Sequence, residues 1–169
     1  MDLSSIQFPN GRETLSRVIR DIRRLRNLRA SDVAERMGLP QRSYELFEAG
    51  GGRLDLERLF AFAEATDSDP FAIMLSVPFG SSDFAVACAD TKLALIMMMH
   101  LQDFYEERGG DITYLDPPNI IGGFERVFKE LGGKLDDTEA FLRRWFNGRQ
   151  GSSISLGTLS VRGLRRRKA

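Results

Sequence analysis

The stretch ERMGLPQRSYELFEAGGGR, residues 35–53, decides how the first half of the chain is read. Gly38 supplies a turn conformation that other residues resist. Pro40 suits the first turn of a helix, where its missing N–H costs little. The spacing predicts a helix from there to about Ala49, with Tyr44 and Phe47 inward at i, i+3 and Gly50, Gly51 and Gly52 stopping it. Upstream, residues 30–37 predict a short helix with Val33, Ala34 and Met37 inward. Two short helices thus cross at a glycine turn, and the small Ala34 lets them approach closely.

Burying Tyr44 and Phe47 turns Gln41, Arg42 and Glu45 outward at the start of the second helix. These are side chains that read base edges: glutamine pairs bidentately with adenine, arginine with guanine, and glutamate accepts from cytosine. The bare N–H groups of Gly51 and Gly52, together with Arg53, are suited to approach a phosphate, a contact that fixes register without reading sequence.

Working outward, residues 13–26 predict a helix, with Leu15, Val18, Ile19, Ile22 and Leu25 or Arg26 on its inner stripe. Asp55 is a plausible N-cap for a helix over 56–65, and Asp69 caps another that begins at Pro70. The string SVPFGSS at 76–82 reads as a linker. Beyond it, one long helix is predicted over 83–107, apolar nearly all round from Leu93 to Met99. DPPN at 116–119 breaks the chain. Helices follow at about 121–131, stopped by Gly132-Gly133, and at about 137–147. From 148 on, Gly, Ser and Arg dominate. The expected organisation is an N-terminal arm (1–11), a DNA-binding domain (12–76), a linker (77–82), a helical dimerisation or partner domain (83–150) and a flexible basic tail (151–169).

The chain has 169 residues and 42% hydrophobic content, enough for a packed core in one domain or two small ones. Its formal net charge is zero, but the charge is segregated. Residues 11–29 hold seven arginines against Glu13 and Asp21, and residues 162–169 hold four arginines and Lys168. Basic ends around an acidic middle suit a polyanionic partner. A single cysteine, Cys88, excludes an intrachain disulfide and fits a reducing, cytoplasmic compartment. The single histidine, His100, gives no metal-ligand spacing, and no metal or other cofactor is expected. No membrane span is expected, because Asp90 and Lys92 interrupt the most apolar stretch. Catalysis finds no support. Glu106-Glu107 and Asp136-Asp137 are adjacent pairs that do not share a helix face, and the triple glycine lacks a following Lys-Ser/Thr.

Residues 15–75 resemble the helix-turn-helix domain of the XRE family, the fold of phage lambda-type repressors and Cro. The resemblance rests on Arg23, Ala34, Gly38, Glu48 and Gly50 falling in register. It implies an all-α fold: a five-helix lambda-repressor-like domain whose third helix lies in the major groove, here followed by a helical C-terminal segment and a basic tail. It also implies an ion pair between Arg23 and Glu48. On this reading Gln41, Arg42, Glu45 and Leu46 contact bases, and Arg29, Ser31, Ser43, Gly51, Gly52 and Arg53 contact the DNA backbone. The chain departs from the family at three places. Ala30 stands where a backbone-contacting glutamine is frequent, Tyr44 stands where Ile or Val is usual, and Leu46 stands where related repressors often carry a polar reader.

A dimer interface is expected along Leu95, Ile96, Met98, Met99 and Leu101, because a single recognition helix reads too few base pairs. The expected partners are therefore double-stranded DNA and a second copy of the chain. The expected function is sequence-specific transcriptional repression in a bacterium or phage. Two alternatives keep DNA binding but change its role: an antitoxin-like protein that binds its partner through residues 83–150, or an activator that contacts polymerase.

Overall fold

The structure is a computed structural model that describes residues 11–51 and 55–147. Among these it holds eight α-helices and no strand: α1 (Gly11–Leu25), α2 (Ala30–Arg36), α3 (Gln41–Glu48), α4 (Leu56–Ala65), α5 (Pro70–Phe79), α6 (Asp83–Thr91), α7 (Leu93–Arg108) and α8 (Pro117–Asn147). A 3-10 turn, Gly109–Tyr114, follows α7. The chain divides into two compact units, Met1–Ile112 and Thr113–Ala169.

The core of the first unit is built from the residues whose spacing predicts it. Leu15, Val18, Ile19 and Ile22 of α1 meet Val33 and Ala34 of α2, and Tyr44 and Phe47 of α3. Leu59 and Phe62 of α4 and Ala72 and Ile73 of α5 complete it. Tyr44, Phe47 and Phe62 form an aromatic cluster with centroids 6.1–6.5 Å apart. Leu25 ends up exposed, and Arg26 takes the inward place at that turn.

Five successive helices end in the same way. After α1, α2, α3, α4 and α5 one residue adopts a left-handed conformation: Asn27, Gly38, Gly50, Asp67 and Gly80. In each case the following N–H reaches back to a carbonyl five residues earlier, as Leu39 does to Ala34 at 2.9 Å and Gly51 to Leu46 at 2.8 Å. This double closure satisfies carbonyls that the helix end would otherwise leave open.

The predicted linker at 77–82 is not a boundary. α5 continues through Pro78 to Phe79 and is closed by Gly80. α6 then buries Ala85, Cys88 and Ala89, and Ala85 and Cys88 belong to the same core cluster as the preceding helices. Burial pushes the Cys88 thiol pKa up. The division instead falls after Ile112.

The helix expected over 83–107 is two helices, bent by 69° at Lys92. Lys92 is left-handed, with φ 53°. Its ammonium donates to the Ala89 carbonyl at 2.8 Å and pairs with the Asp67 carboxylate at 2.9 Å. That ammonium holds the exposed Asp67 carboxyl below the usual carboxylate range. A local conformation that lysine resists is thus fixed by partners in two other turns.

Gly132-Gly133 does not stop a helix either. α8 runs unbroken for 31 residues through Gly122, Gly123, Gly132 and Gly133. Glycine lowers helix propensity but does not break the hydrogen-bond ladder, because it keeps its N–H. No single helix among the described residues is long and apolar enough to cross a membrane.

Candidate nucleic-acid interface

α3 is held from beneath and from behind. Tyr44, Phe47 and Glu48 form its buried side. Arg23 of α1 donates from Nε to Glu48 Oε1 at 2.8 Å and from Nη1 to the Leu28 carbonyl at 3.1 Å. The expected Arg23–Glu48 pair therefore exists, and the same arginine also ties down the end of α1. Ser16 adds a third link, its hydroxyl donating to the Glu48 carbonyl at 2.6 Å. Removing either partner of this mostly buried pair leaves a charge without its counterion, at a cost of about 3 kcal/mol.

Tyr44 lies fully buried beside this pair, and its hydroxyl has no hydrogen-bond partner. Its ring points inward, as its helical spacing predicts, but its hydroxyl gains no partner there. Burial pushes its pKa well above the usual tyrosine range, and the Glu48 carboxylate adds to the rise while Arg23 opposes it.

The turn between α2 and α3 depends on Gly38, at φ 65°. α2 begins at Ala30, where the Asp32 carboxylate accepts from the Arg29 backbone N–H at 2.9 Å. Arginine has no acceptor to offer in return, so only half of a reciprocal cap forms. Arg36, at the other end of α2, donates to the Ala65 carbonyl at 2.9 Å and ties α2 to α4.

With one face buried, α3 presents Gln41, Arg42, Glu45 and Leu46 together to solvent. Gln41 Nε2 donates to Glu45 Oε1 at 2.7 Å, so these two side chains satisfy each other in the free protein. Leu46 is 60% exposed, which leaves an apolar contact open at the end of this row. Ser43 sits half-buried at the near edge. Arg29 and Ser31 are exposed at the start of α2, and the Ser31 hydroxyl lies 3.3 Å from Asp32 Oδ1.

The glycine loop differs from its expected role. The Gly51 N–H closes the end of α3 by donating to Leu46, so it does not point free for a phosphate. A Cβ on Gly50 would lie 2.8 Å from the Arg12 carbonyl oxygen, so this glycine also lets the loop pass close to α1. Gly52 and Arg53 lie outside the described residues.

Of the arginines of α1 and its end, Arg12, Arg17, Arg20 and Arg24 are exposed, while Arg23 and Arg26 are half-buried. Arg20 bonds the Ser16 carbonyl and hydroxyl, both at 3.1 Å. Arg26 was the least legible. Its guanidinium donates to the Thr66 carbonyl at 2.8 Å, to the Asp67 carbonyl at 2.6 Å and to Asp90 Oδ1 at 2.7 Å. It joins the ends of α4 and α6 to α1. The only sequence signal was its place on the inner stripe.

Asp69 does more than cap α5. Its Oδ1 accepts from Phe71 and Ala72, both at 3.0 Å, and its Oδ2 accepts from Ala94 at 2.8 Å and Leu95 at 3.0 Å. One buried carboxylate thus closes the N-termini of two helices.

α7 leaves Ile96, Met98, Met99 and Leu101 exposed, while Leu95 is half-buried. These are the residues expected to meet a second copy.

Compared with known proteins, residues 19–73 match a family model described as helix-turn-helix. No curated protein and no solved structure matches the chain.

Proposed function

We propose that the chain, whose residues 19–73 match the helix-turn-helix family model, is an XRE-type sequence-specific DNA-binding repressor of bacterial or phage origin that acts as a dimer. The observation that supports it best is the solvent face of α3, where Gln41, Arg42, Glu45 and Leu46 stand together on a helix anchored by the Arg23–Glu48 pair. Arg42 carries no hydrogen bond or ion pair among the described residues, so it is open to a guanine edge. Gln41 and Glu45 exchange their mutual bond for base contacts. Leu46 packs on a thymine methyl. Arg29, Ser31 and Ser43 meet phosphates at the edges of the groove. α7 brings two copies together through Leu95, Ile96, Met98, Met99 and Leu101, and half-sites lie about 34 Å apart. Repression follows from occlusion of the promoter, with no chemical step.

The test is recovery and sequencing of DNA fragments, cut from the source genome, that bind the purified protein. Sharp peaks sharing an inverted repeat support the reading. Diffuse recovery abolished by modest salt sinks it. On a recovered site, Arg42→Ala should weaken binding about 10-fold and relax preference at one base position, given ~1–3 kcal/mol for a good base contact. A second reading, a partner protein docked on residues 83–150, draws on the exposed apolar side chains of α7 and α8. Co-purification of one stoichiometric partner would favour it.

A further inference from the structure

α8 carries an apolar heptad repeat, widened on one flank by the exposed Ile120, Val127 and Phe141. Ile121, Phe124, Phe128, Leu131, Leu135, Thr138 and Leu142 alternate three and four residues apart, and Trp145 continues the series in sequence. This mean spacing, about 3.5 residues, is the period of a left-handed coiled-coil seam. The run covers more than three heptads, the length at which such a pattern becomes informative.

What falls off the seam is as informative as what falls on it. Thr138 is the only polar residue in the series, and no charge and no glycine occupies any of its positions. Gly122, Gly123, Gly132 and Gly133 all lie outside it, and a Cβ built on any of them meets nothing closer than 3.7 Å. Glycine is the poorest helix former after proline, and a lone helix gains little stability in water. A helix with four internal glycines needs a packed face to persist. Yet Ile121, Phe124, Phe128, Leu131 and Leu135 are 44–67% exposed.

The flanking charges indicate what covers it. With Ile121 at position a, Lys134 falls at g and Glu139 at e. In a parallel, in-register pair, g of one helix faces e five residues further on in the other. Lys134 of each copy then faces Glu139 of the second copy. An antiparallel pair sets e against e, and the charged residues of that flank, Glu125 and Glu139, are both acidic. Glu139 now pairs with Arg143 at 2.6 Å, an exposed i,i+4 contact that is easily exchanged.

We propose that α8 is a self-association helix that pairs, parallel and in register, with α8 of a second copy through the Ile121–Leu142 seam, oriented by Lys134 and Glu139. This rests on the two-copy part of the function proposed above, not on DNA binding, and adds an oriented contact to the one assigned to α7.

The experiment is sedimentation equilibrium of the full chain without DNA. The wild type should be a dimer at micromolar concentration. Leu135→Glu should raise the dimer Kd at least 10-fold. Lys134→Glu and Glu139→Lys should each weaken the dimer alone, and a 1:1 mixture of these two variants should recover wild-type affinity, because only the mixed dimer places opposite charges across both flanks. The mixture controls for unfolding of α8 by Leu135→Glu. A wild-type dimer indifferent to all three changes overturns the α8 assignment alone. A wild type that stays monomeric at tens of micromolar overturns both it and the two-copy reading.

Discussion

Tyr44 is a side chain whose chemistry does not match its place. Its hydroxyl is buried without a partner, and an unsatisfied buried hydroxyl costs about 1–3 kcal/mol. Tyr44→Phe should therefore raise stability by about 1 kcal/mol in urea titrations at neutral pH. The pH dependence has a definite sign. The folded-state pKa is raised, so the contribution is complete below the unfolded tyrosine value, about 10, and falls away as pH rises beyond it. Tyr44→Phe should lose less stability than wild type above about pH 10, and equal losses would show that the hydroxyl is wetter than the structure places it. Two glycines separate conformation from crowding. At Gly38 a Cβ meets nothing within 4 Å, so Gly38→Ala should cost only the left-handed penalty, about 1 kcal/mol. At Gly50 the same penalty is joined by contact with the Arg12 carbonyl at 2.8 Å. Gly50→Ala should cost about 2–3 kcal/mol, and thermal unfolding of the two variants side by side checks the difference. At this scale the sequence was a good guide wherever a residue's role is local. The outward side chains of α3 follow from helical spacing, whereas the use of the Gly51 N–H depends on the Leu46 carbonyl, which that spacing does not specify.

Helix boundaries show where local signals fail. α4 falls at its expected residues because Asp55 caps its start and the Ser68 N–H closes its end on the Ala63 carbonyl, both local signals. The break at Lys92 has no local signal. Its left-handed backbone is held by Asp67, 25 residues away. The glycines of α8 misled in the opposite sense, since they read as stops while the helix continues through them. Asp69 was legible as the cap of α5, but its second oxygen closes α7, 25 residues further along the chain beyond two intervening helices. A substitution there should therefore act on two elements at once. Asp69→Ala should destabilise the first unit by about 2–4 kcal/mol, the sum of two lost caps. Asp69→Asn, which keeps one acceptor, should cost about half as much. If chemical denaturation finds only a single cap's worth lost in Asp69→Ala, α7 is not closed by this carboxylate.

For the whole molecule, the position of α6 decides where the chain can be divided. A chain ending at residue 82 removes Ala85, Cys88 and Ala94 from the core cluster and Phe84 and Leu93 packed against it, and with them packing worth about 3–5 kcal/mol. It should unfold at a much lower temperature than a chain ending at Ile112, which should keep cooperative unfolding. Calorimetry of the two truncations checks this, and equal stability would restore a boundary at 76–82. The long-range partners that draw α6 inward, Arg26 with Asp90 and Lys92 with Asp67, are separated by 64 and 25 residues, distances over which hydrophobic spacing carries no information.

The carboxylate of Asp69 also has a geometric meaning. It fixes α7 to α5 at their first turns, so α7 leaves the domain at a set bearing relative to α3. Two copies joined along α7 would then be a caliper and not a tether: the gap between their recognition helices is cut into the protein. Operators whose half-sites are displaced by half a helical turn would be refused outright, and loosening one buried oxygen would widen the tolerance of the whole instrument.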